Sequence, residues 1–197
     1  NDAELIVIPD NYDNWLPEPG KDELNKGNVM KISLKLMGRN GQPPALKAKY
    51  FELRLSNTSE EPGVTLNAPL FTITPMPDLR FLLQTGTIPG DNFQSARVNC
   101  NNGISAETSI TSFDGGGYTM LTAEAVLEDN SHVEGHLLIS GGITEIPVPK
   151  RPPNSKIATA WLTANNNPGD TDDIENSPGN NNNGDGLTAY EEYRGVI

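Results

Sequence analysis

The chain has 197 residues, with 26 acidic and 14 basic side chains and a formal net charge of −12. This length accommodates one full domain with an appendage, or two small domains. The charge argues against a nucleic-acid partner, which requires a clustered basic surface, and it favours cations. No apolar run approaches the roughly 18 residues that a membrane span needs, so we expect no transmembrane segment.

The cysteine content and the amino-terminal residues are informative about the cellular compartment of the protein. Cys100 is the single cysteine, which excludes an intrachain disulfide and is typical of a small buried side chain. The opening residues, Asn1 to Glu4, are acidic and lack the basic and apolar regions of a signal peptide. We expect either a cytosolic chain or a mature or excised fragment whose export signal is absent, and the metal motif below favours the second.

Residues 3 to about 148 have the patterns of short strands. Residues 28–38 alternate, and Met30, Ile32, Leu34 and Leu36 share the apolar parity of a half-buried strand. Residues 46–55 alternate less cleanly, and glycine and proline between the two segments predict a hairpin. Residues 117–127 have a second clear apolar parity. Further strands are predicted at 63–66, 69–74, 79–84, 94–99, 106–112, 132–139 and 142–148. Strands at this spacing predict a mainly β fold, with an antiparallel β-sandwich over residues 1–149.

The composition changes after Pro149. Residues 150–164 are predicted to form a linker and a short helix, with Ser155 as the N-cap of the helix and Trp161 on its apolar stripe. Residues 165–197 contain seven acidic side chains and one basic one. The eight asparagines between 165 and 183 leave this segment too polar to bury a core of its own. Something else must therefore organise it.

Residues 181–192 have the spacing of a twelve-residue calcium loop. Side-chain oxygens stand at the first, third and fifth positions, glycine at the sixth, a backbone carbonyl at the seventh, and a bidentate glutamate at the twelfth. The predicted ligands are Asn181, Asn183, Asp185, the carbonyl of Leu187, and Glu192. The run from Thr188 to Arg194 is predicted to form a short helix. Together these features predict Ca²⁺ as the cofactor.

We expect an acidic cluster upstream to complete this site or to form a second one. Its members are Asp170, Asp172, Asp173 and Glu175. Sodium or magnesium in the same oxygen cage, and a tail that is merely solvated, are the alternatives to calcium. The sequence does not distinguish one ion from two.

The run Gly184 to Tyr193 resembles the end of the bacterial calcium loops of thrombospondin type 3 repeats and, more distantly, of dockerins, which are EF-hand-type modules. This resemblance covers about residues 170–194 and implies an extracellular calcium-binding module. Asparagines at 181 and 183 replace the aspartates usual in that family. Dockerins dock through two such loops, whereas one complete loop is present here.

The preceding part is similar to the immunoglobulin-like modules of large bacterial surface proteins. The residues that carry this resemblance are Gly41 to Pro44, Leu55 to Asn57 and Gly115 to Thr119. It implies an immunoglobulin-like sandwich with a structural or adhesive role, and other copies or other surface proteins as partners. The alternative is a carbohydrate-binding or accessory domain of a secreted hydrolase.

The remaining groups of polar side chains do not predict a catalytic site or a second kind of metal site. His132, Glu134 and His136 share one parity, which is typical of the solvated face of a strand and less often of a transition-metal site. No serine stands in a nucleophile-elbow pattern. We therefore expect a protein that is not an enzyme.

Overall fold

The structure is a computed structural model that describes residues 3–18, 27–38, 41–60, 76–137, 142–167 and 188–195. The described part is mainly β, as the sequence predicts, with ten strands and two short helices. The strands are β1 (Ala3–Pro9), β2 (Val29–Gly38), β3 (Ala48–Ser56), β4 (Leu79–Phe81), β5 (Thr87–Gly90), β6 (Ser95–Asn99), β7 (Ser105–Ser112), β8 (Thr119–Leu127), β9 (His132–Leu137) and β10 (Ile146–Val148). The helices are α1 (Thr159–Ala164) and α2 (Ala189–Arg194).

The strands form one continuous hydrogen-bonded path. Its order is β4-β7-β2-β1-β9-β8-β3-β6-β5, and β10 pairs with β8 beside this path. Among the described strands, the pairings are antiparallel except that β1 runs parallel to β9. β9 therefore joins a half built on β1, β2, β4 and β7 to a half built on β3, β5, β6 and β8.

The main hydrophobic core lies between these halves, and it follows the predicted parities. Met30, Ile32, Leu34 and Leu36 of β2 are buried. On β8 the apolar parity from Leu121 to Leu127 is also buried. Alternation identifies the core face of each strand because successive side chains point to opposite faces of a sheet.

The predicted hairpin between residues 28–37 and 46–55 is wrong. β2 pairs with β1 and β7, whereas β3 pairs with β8 and β6. The chain crosses from one half to the other between these strands, and apolar parity carries no information on which strand is the partner. The imperfect alternation of 46–55 has a physical cause, because a register shift between Ala48 and Tyr50 changes the parity of β3.

Other boundaries also differ from the expectations. α1 begins at Thr159 after Ala158, and Ser155 does not cap it; the Ser155 hydroxyl instead accepts a hydrogen bond from the Ile157 amide (3.0 Å). β5 was not predicted because Pro89 and Gly90 occupy half of its four residues. The predicted strands at 63–66 and 69–74 lie outside the described residues. No helix within the described ranges is long and apolar enough to cross a membrane.

Gly135 permits the close packing of β1 on β9. A methyl group at this position would lie 2.9 Å from Cγ2 of Val7 and 3.0 Å from the Ala123 carbonyl oxygen. We expect Gly135→Ala to lower the free energy of unfolding by about 1–3 kcal/mol, because an overpacked core forces its neighbours to move. Urea denaturation measures this loss. Lys35→Ala, at an exposed position of β2, should change stability by less than about 0.5 kcal/mol; equal losses would contradict the packing argument.

Candidate calcium module

Most of the predicted calcium ligands lie outside the described residues. These are Asn181, Asn183, Asp185 and Leu187 of the loop, and Asp170, Asp172, Asp173 and Glu175 upstream. Glu192 is the exception, and it is half-buried on α2. The described residues on both sides of this segment show how the chain enters and leaves it.

The predicted helix after the loop is confirmed. Thr188 is its N-cap, and its hydroxyl accepts a hydrogen bond from the Glu191 amide (3.2 Å). The Glu191 carboxylate accepts one in return from the Thr188 amide (2.7 Å), which completes a capping box and lowers the pKa of Glu191. Gly195 ends the helix in the left-handed conformation, with φ 87°. A helix of six residues therefore has both of its ends satisfied.

Helix α2 packs into a second hydrophobic cluster, apart from the main core. The buried members of this cluster are Ile157, Ala158, Leu162, Ala189, Tyr190 and Tyr193, and Leu16, Tyr118 and Trp161 pack against them. The Trp161 and Tyr193 rings meet edge to face with their centroids 5.6 Å apart, an arrangement that aromatic pairs favour. The cluster thus holds α1 and α2 together and against the segments around Leu16 and Tyr118.

A buried ion pair joins α2 to the loop between β7 and β8. Nη2 of Arg194 donates a hydrogen bond to Oδ2 of Asp114 (3.3 Å), and both side chains are almost fully buried. The Gly115 amide donates to the other carboxylate oxygen (2.7 Å). Burial raises the pKa of Asp114 to about 6, although the Arg194 charge and the Gly115 amide act in the opposite direction.

Gly116 makes room for this ion pair. Its φ is +69°, and a methyl group there would lie 2.5 Å from Cγ of Arg194. Both the left-handed conformation and the lack of space require glycine at this position. The Gly116 amide also donates to the Pro17 carbonyl (3.2 Å), so the loop holds the amino-terminal segment as well.

Asn167 marks the point where the described chain enters the Asp- and Asn-rich segment. Its backbone amide donates to the Leu162 carbonyl (2.9 Å), and its side chain is 1% exposed. Neither amide atom of this side chain has a hydrogen-bond partner among the residues that the structure describes. An unpaired buried amide costs about 1–3 kcal/mol. Calcium accepts neutral amide oxygens.

The described residues elsewhere hold no alternative metal centre. No group of three or more His, Cys, Asp or Glu side chains within the described ranges could hold a metal ion. Nδ1 of His132 is hydrogen-bonded to Oε2 of Glu124 (3.0 Å), and Val133 and Leu137 of the same strand are buried. This is the arrangement expected for the solvated face of a strand.

The sequence does not predict the ion pair of Asp114 or the burial of Asn167. Asp114 precedes three glycines, and such a run indicates a close backbone approach but not the residue that approaches. Asn167 is one of three consecutive asparagines, and its burial depends on α1, which determines which of the three turns inwards.

The comparisons with known proteins yield only distant structural matches. No family model and no curated protein matches the chain. Two crystal structures of the human F-spondin reeler domain match its structure. The first is 12% identical, with a TM-score of 0.39, over 68% of this chain and 82% of that one. The second is 13% identical, with a TM-score of 0.34, over 69% and 93%.

The raised pKa of Asp114 predicts a pH dependence of stability. Between pH values of about 4 and 6 the folded chain holds a proton on Asp114 that the unfolded chain has released. The contribution is therefore complete below pH 3.8, the ordinary value, and is lost as the pH rises through about 6. Relative to Asp114→Asn, the wild type should lose up to about 3 kcal/mol of unfolding free energy over this range.

Urea denaturation at a series of pH values measures this difference. Asp129→Asn removes an exposed carboxylate whose pKa is lowered by Ser131, and this control should retain the Asp114 contribution. Parallel pH profiles for the wild type and Asp114→Asn would show that Asp114 titrates as it does in the unfolded chain.

Proposed function

We propose that this chain is an extracellular, non-enzymatic module with a structural or adhesive role in a cell-surface or secreted assembly, and that calcium stabilises its carboxyl-terminal segment. The ion binds in the loop from Asn181 to Glu192, whose ligands follow the twelve-residue pattern. The acidic cluster from Asp170 to Glu175 completes this site or forms a second one.

The observation that carries the proposal is the fixation of both ends of the segment. Asn167, which precedes residues 168–187, is buried; helix α2, which follows them, is capped, and Arg194 and Asp114 hold that helix to the β body. Fixed ends reduce the conformational entropy that an ion must offset when it orders the segment. An ion bound there would also be joined rigidly to the β body.

The proposed location follows from calcium concentrations. Only Asp185 and Glu192 of the loop ligands carry a charge, and extracellular modules of modest ligand charge bind calcium with Kd values of roughly 10⁻⁴–10⁻³ M. Millimolar calcium outside cells fills such a site, whereas submicromolar cytosolic calcium leaves it empty. A calcium-dependent fold of this affinity therefore operates outside the cell.

For the β body we propose an immunoglobulin-like sandwich. Two groups of strands enclose one core, and β9 links them at one side. This arrangement is compatible with the resemblance to modules of bacterial surface proteins, and such modules serve as structural units.

The carbohydrate-binding alternative requires exposed aromatic side chains on one sheet face. Among the described residues, Trp15 is buried, and the ring of Tyr50 lies under the Arg97 guanidinium at 3.5 Å. Phe93 is 41% exposed but lies in a turn. This distribution favours the structural role.

Calcium is expected to stabilise the protein by mass action. At a calcium concentration about 100 times Kd, the free energy of unfolding should rise by about 2.7 kcal/mol. Protease cleavage between Asn165 and Asn183 should slow in parallel. Thermal melting and limited proteolysis across a calcium titration measure both effects, and no change at several millimolar calcium would remove the proposal.

Glu191 and Glu192 provide a matched pair of variants for this titration. Glu192→Gln should weaken calcium binding more than Asn181→Ala, because it removes the charged bidentate ligand. Glu191→Gln removes the same charge one position earlier, at the capping box, and should leave the calcium Kd unchanged. Equal weakening by the two glutamate variants would show that the loop register is wrong.

A substitution at Asn167 should raise the stability of the calcium-free protein and lower the additional stability that calcium confers. Asn167→Leu should stabilise the calcium-free protein by about 1–3 kcal/mol, because it removes an unpaired buried amide. The same change should reduce the additional stability that calcium confers, if the Asn167 oxygen is a ligand. Melting temperatures with calcium and with a chelator separate the two effects. A loss of stability in the calcium-free protein would contradict the premise that the amide is unpaired.

A further inference from the structure

An open groove crosses the outer face of the β3 half of the molecule. It has a volume of about 530 Å³, which is within the range of ligand-binding sites. Cross-strand pairing places Ile88, Arg97, Glu52, Glu124 and Glu134 in one row across five neighbouring strands, from β5 to β9. All five side chains line the groove. This row is independent of the carboxyl-terminal segment and of calcium.

Small residues account for the depth of the groove. The next row contains Gly90, Ser95, Arg54 and Thr122, in which one long side chain stands among three small ones. Beneath them, Ala96 and Ala123 contribute small buried side chains to the core face. The long side chains of the first row therefore form one wall, and β5 forms the end of the groove.

The charged groups of the groove are not paired with one another, although Glu124 is hydrogen-bonded to His132 outside the groove (3.0 Å). Within the described part of the chain, Glu52, Glu134 and Arg54 have neither an ion pair nor a side-chain hydrogen bond. Arg97 stands opposite Glu52 but lies over the Tyr50 ring instead. Three carboxylates thus occupy adjacent strands, about 4.8 Å apart. Like charges directly opposite in a sheet are destabilising.

The turn that leads from β5 to β6 is held in an unusual conformation. Asp91, Asn92 and Phe93 all have positive φ, from 46° to 65°. Such a stretch without glycine costs energy and persists only where its surroundings hold it. Gln94 does so, because its backbone carbonyl accepts from the Leu55 amide (2.7 Å) and its side chain donates to the Leu79 carbonyl (2.8 Å). The end wall of the groove is therefore fixed in place.

We propose that this groove docks a basic, extended segment of another protein, and that the carboxylates Glu52, Glu124 and Glu134 receive its lysine or arginine side chains. Alternate side chains of an extended chain are about 7 Å apart, and two strand spacings separate Glu52 from Glu134 by about 10 Å. Two flexible cationic side chains span that distance. Arg54, Ser95 and Thr122 face the backbone of such a segment with hydrogen-bonding groups.

The net charge of the whole chain favours a foreign partner over a second copy. A net charge of −12 attracts a cationic partner over long range and repels an identical chain. A small apolar ligand is disfavoured, because the groove is open and seven of its thirteen lining residues are polar or charged. The partner is therefore defined by its chemistry, as a polypeptide segment with basic side chains at alternate positions.

A capped nonapeptide that alternates lysine with threonine is the probe, and its glutamate counterpart is the control peptide. Binding to the full chain is measured by titration calorimetry and by amide chemical shifts in low-salt buffer, with calcium and with a chelator. The lysine peptide should shift the amides of β3, β8 and β9, and the glutamate peptide should shift none of them. Binding should be the same in the two buffers, which separates this site from the proposed calcium function.

Matched charge variants test the position of the site. The double substitution Glu52→Gln with Glu134→Gln should weaken lysine-peptide binding by about tenfold. Glu128→Gln with Glu145→Gln removes the same charge from exposed positions outside the groove and should weaken it by less than about twofold. The groove variant should also melt no lower than the wild type, because the repulsion of Glu124 by both neighbouring carboxylates has been relieved. Equal weakening by both variants, shifts on another surface, concentration-dependent self-association alone, or no binding would each overturn the proposal.

Discussion

The ion pair between Arg194 and Asp114 is the contact on which the arrangement of the carboxyl-terminal part depends. Both charges are withdrawn from water, which costs several kcal/mol for each ion, and their attraction and the Gly115 amide offset only part of this cost, because the pKa of Asp114 remains raised. Removing either partner leaves an uncompensated buried charge. Movement of α2 away from the β body would separate Arg194 from Asp114 and leave the buried charges without partners. The pair therefore specifies one position for α2.

The second hydrophobic cluster depends on that constraint. Six buried residues and three partly buried ones cannot stabilise two helices of six residues each as an independent domain. Leu16 and Tyr118 come from the β body, so the cluster is a shared surface and not a free-standing core. The cluster is stabilised by its attachment to the β body, through the contacts of Gly116 and Asp114 with Arg194.

The sequence predicted features that arise from neighbours along the chain, and it failed where partners come from far away. The parity of Met30 to Leu36 and the helix after Thr188 follow from local periodicity and capping, and both are confirmed. The pairing of β2 with β7 does not follow from parity, since any strand with an apolar face satisfies that pattern. For the same reason the sequence does not predict the ion pair of Asp114, because its partner Arg194 lies 80 residues away. The ligand set from Asn181 to Glu192 stays a prediction.

The outer face of the β3 half shows what topology adds to composition. Glu52, Glu124 and Glu134 are ordinary exposed acids when the sequence is considered residue by residue, and only the order of β3, β8 and β9 places them in one row. Stability by itself favours alternating signs across neighbouring strands. The row departs from that rule at two contacts, Glu52 with Glu124 and Glu124 with Glu134, and a turn held in a strained conformation lies beside it. Departures concentrated in this way are characteristic of surfaces whose charges are satisfied by another molecule.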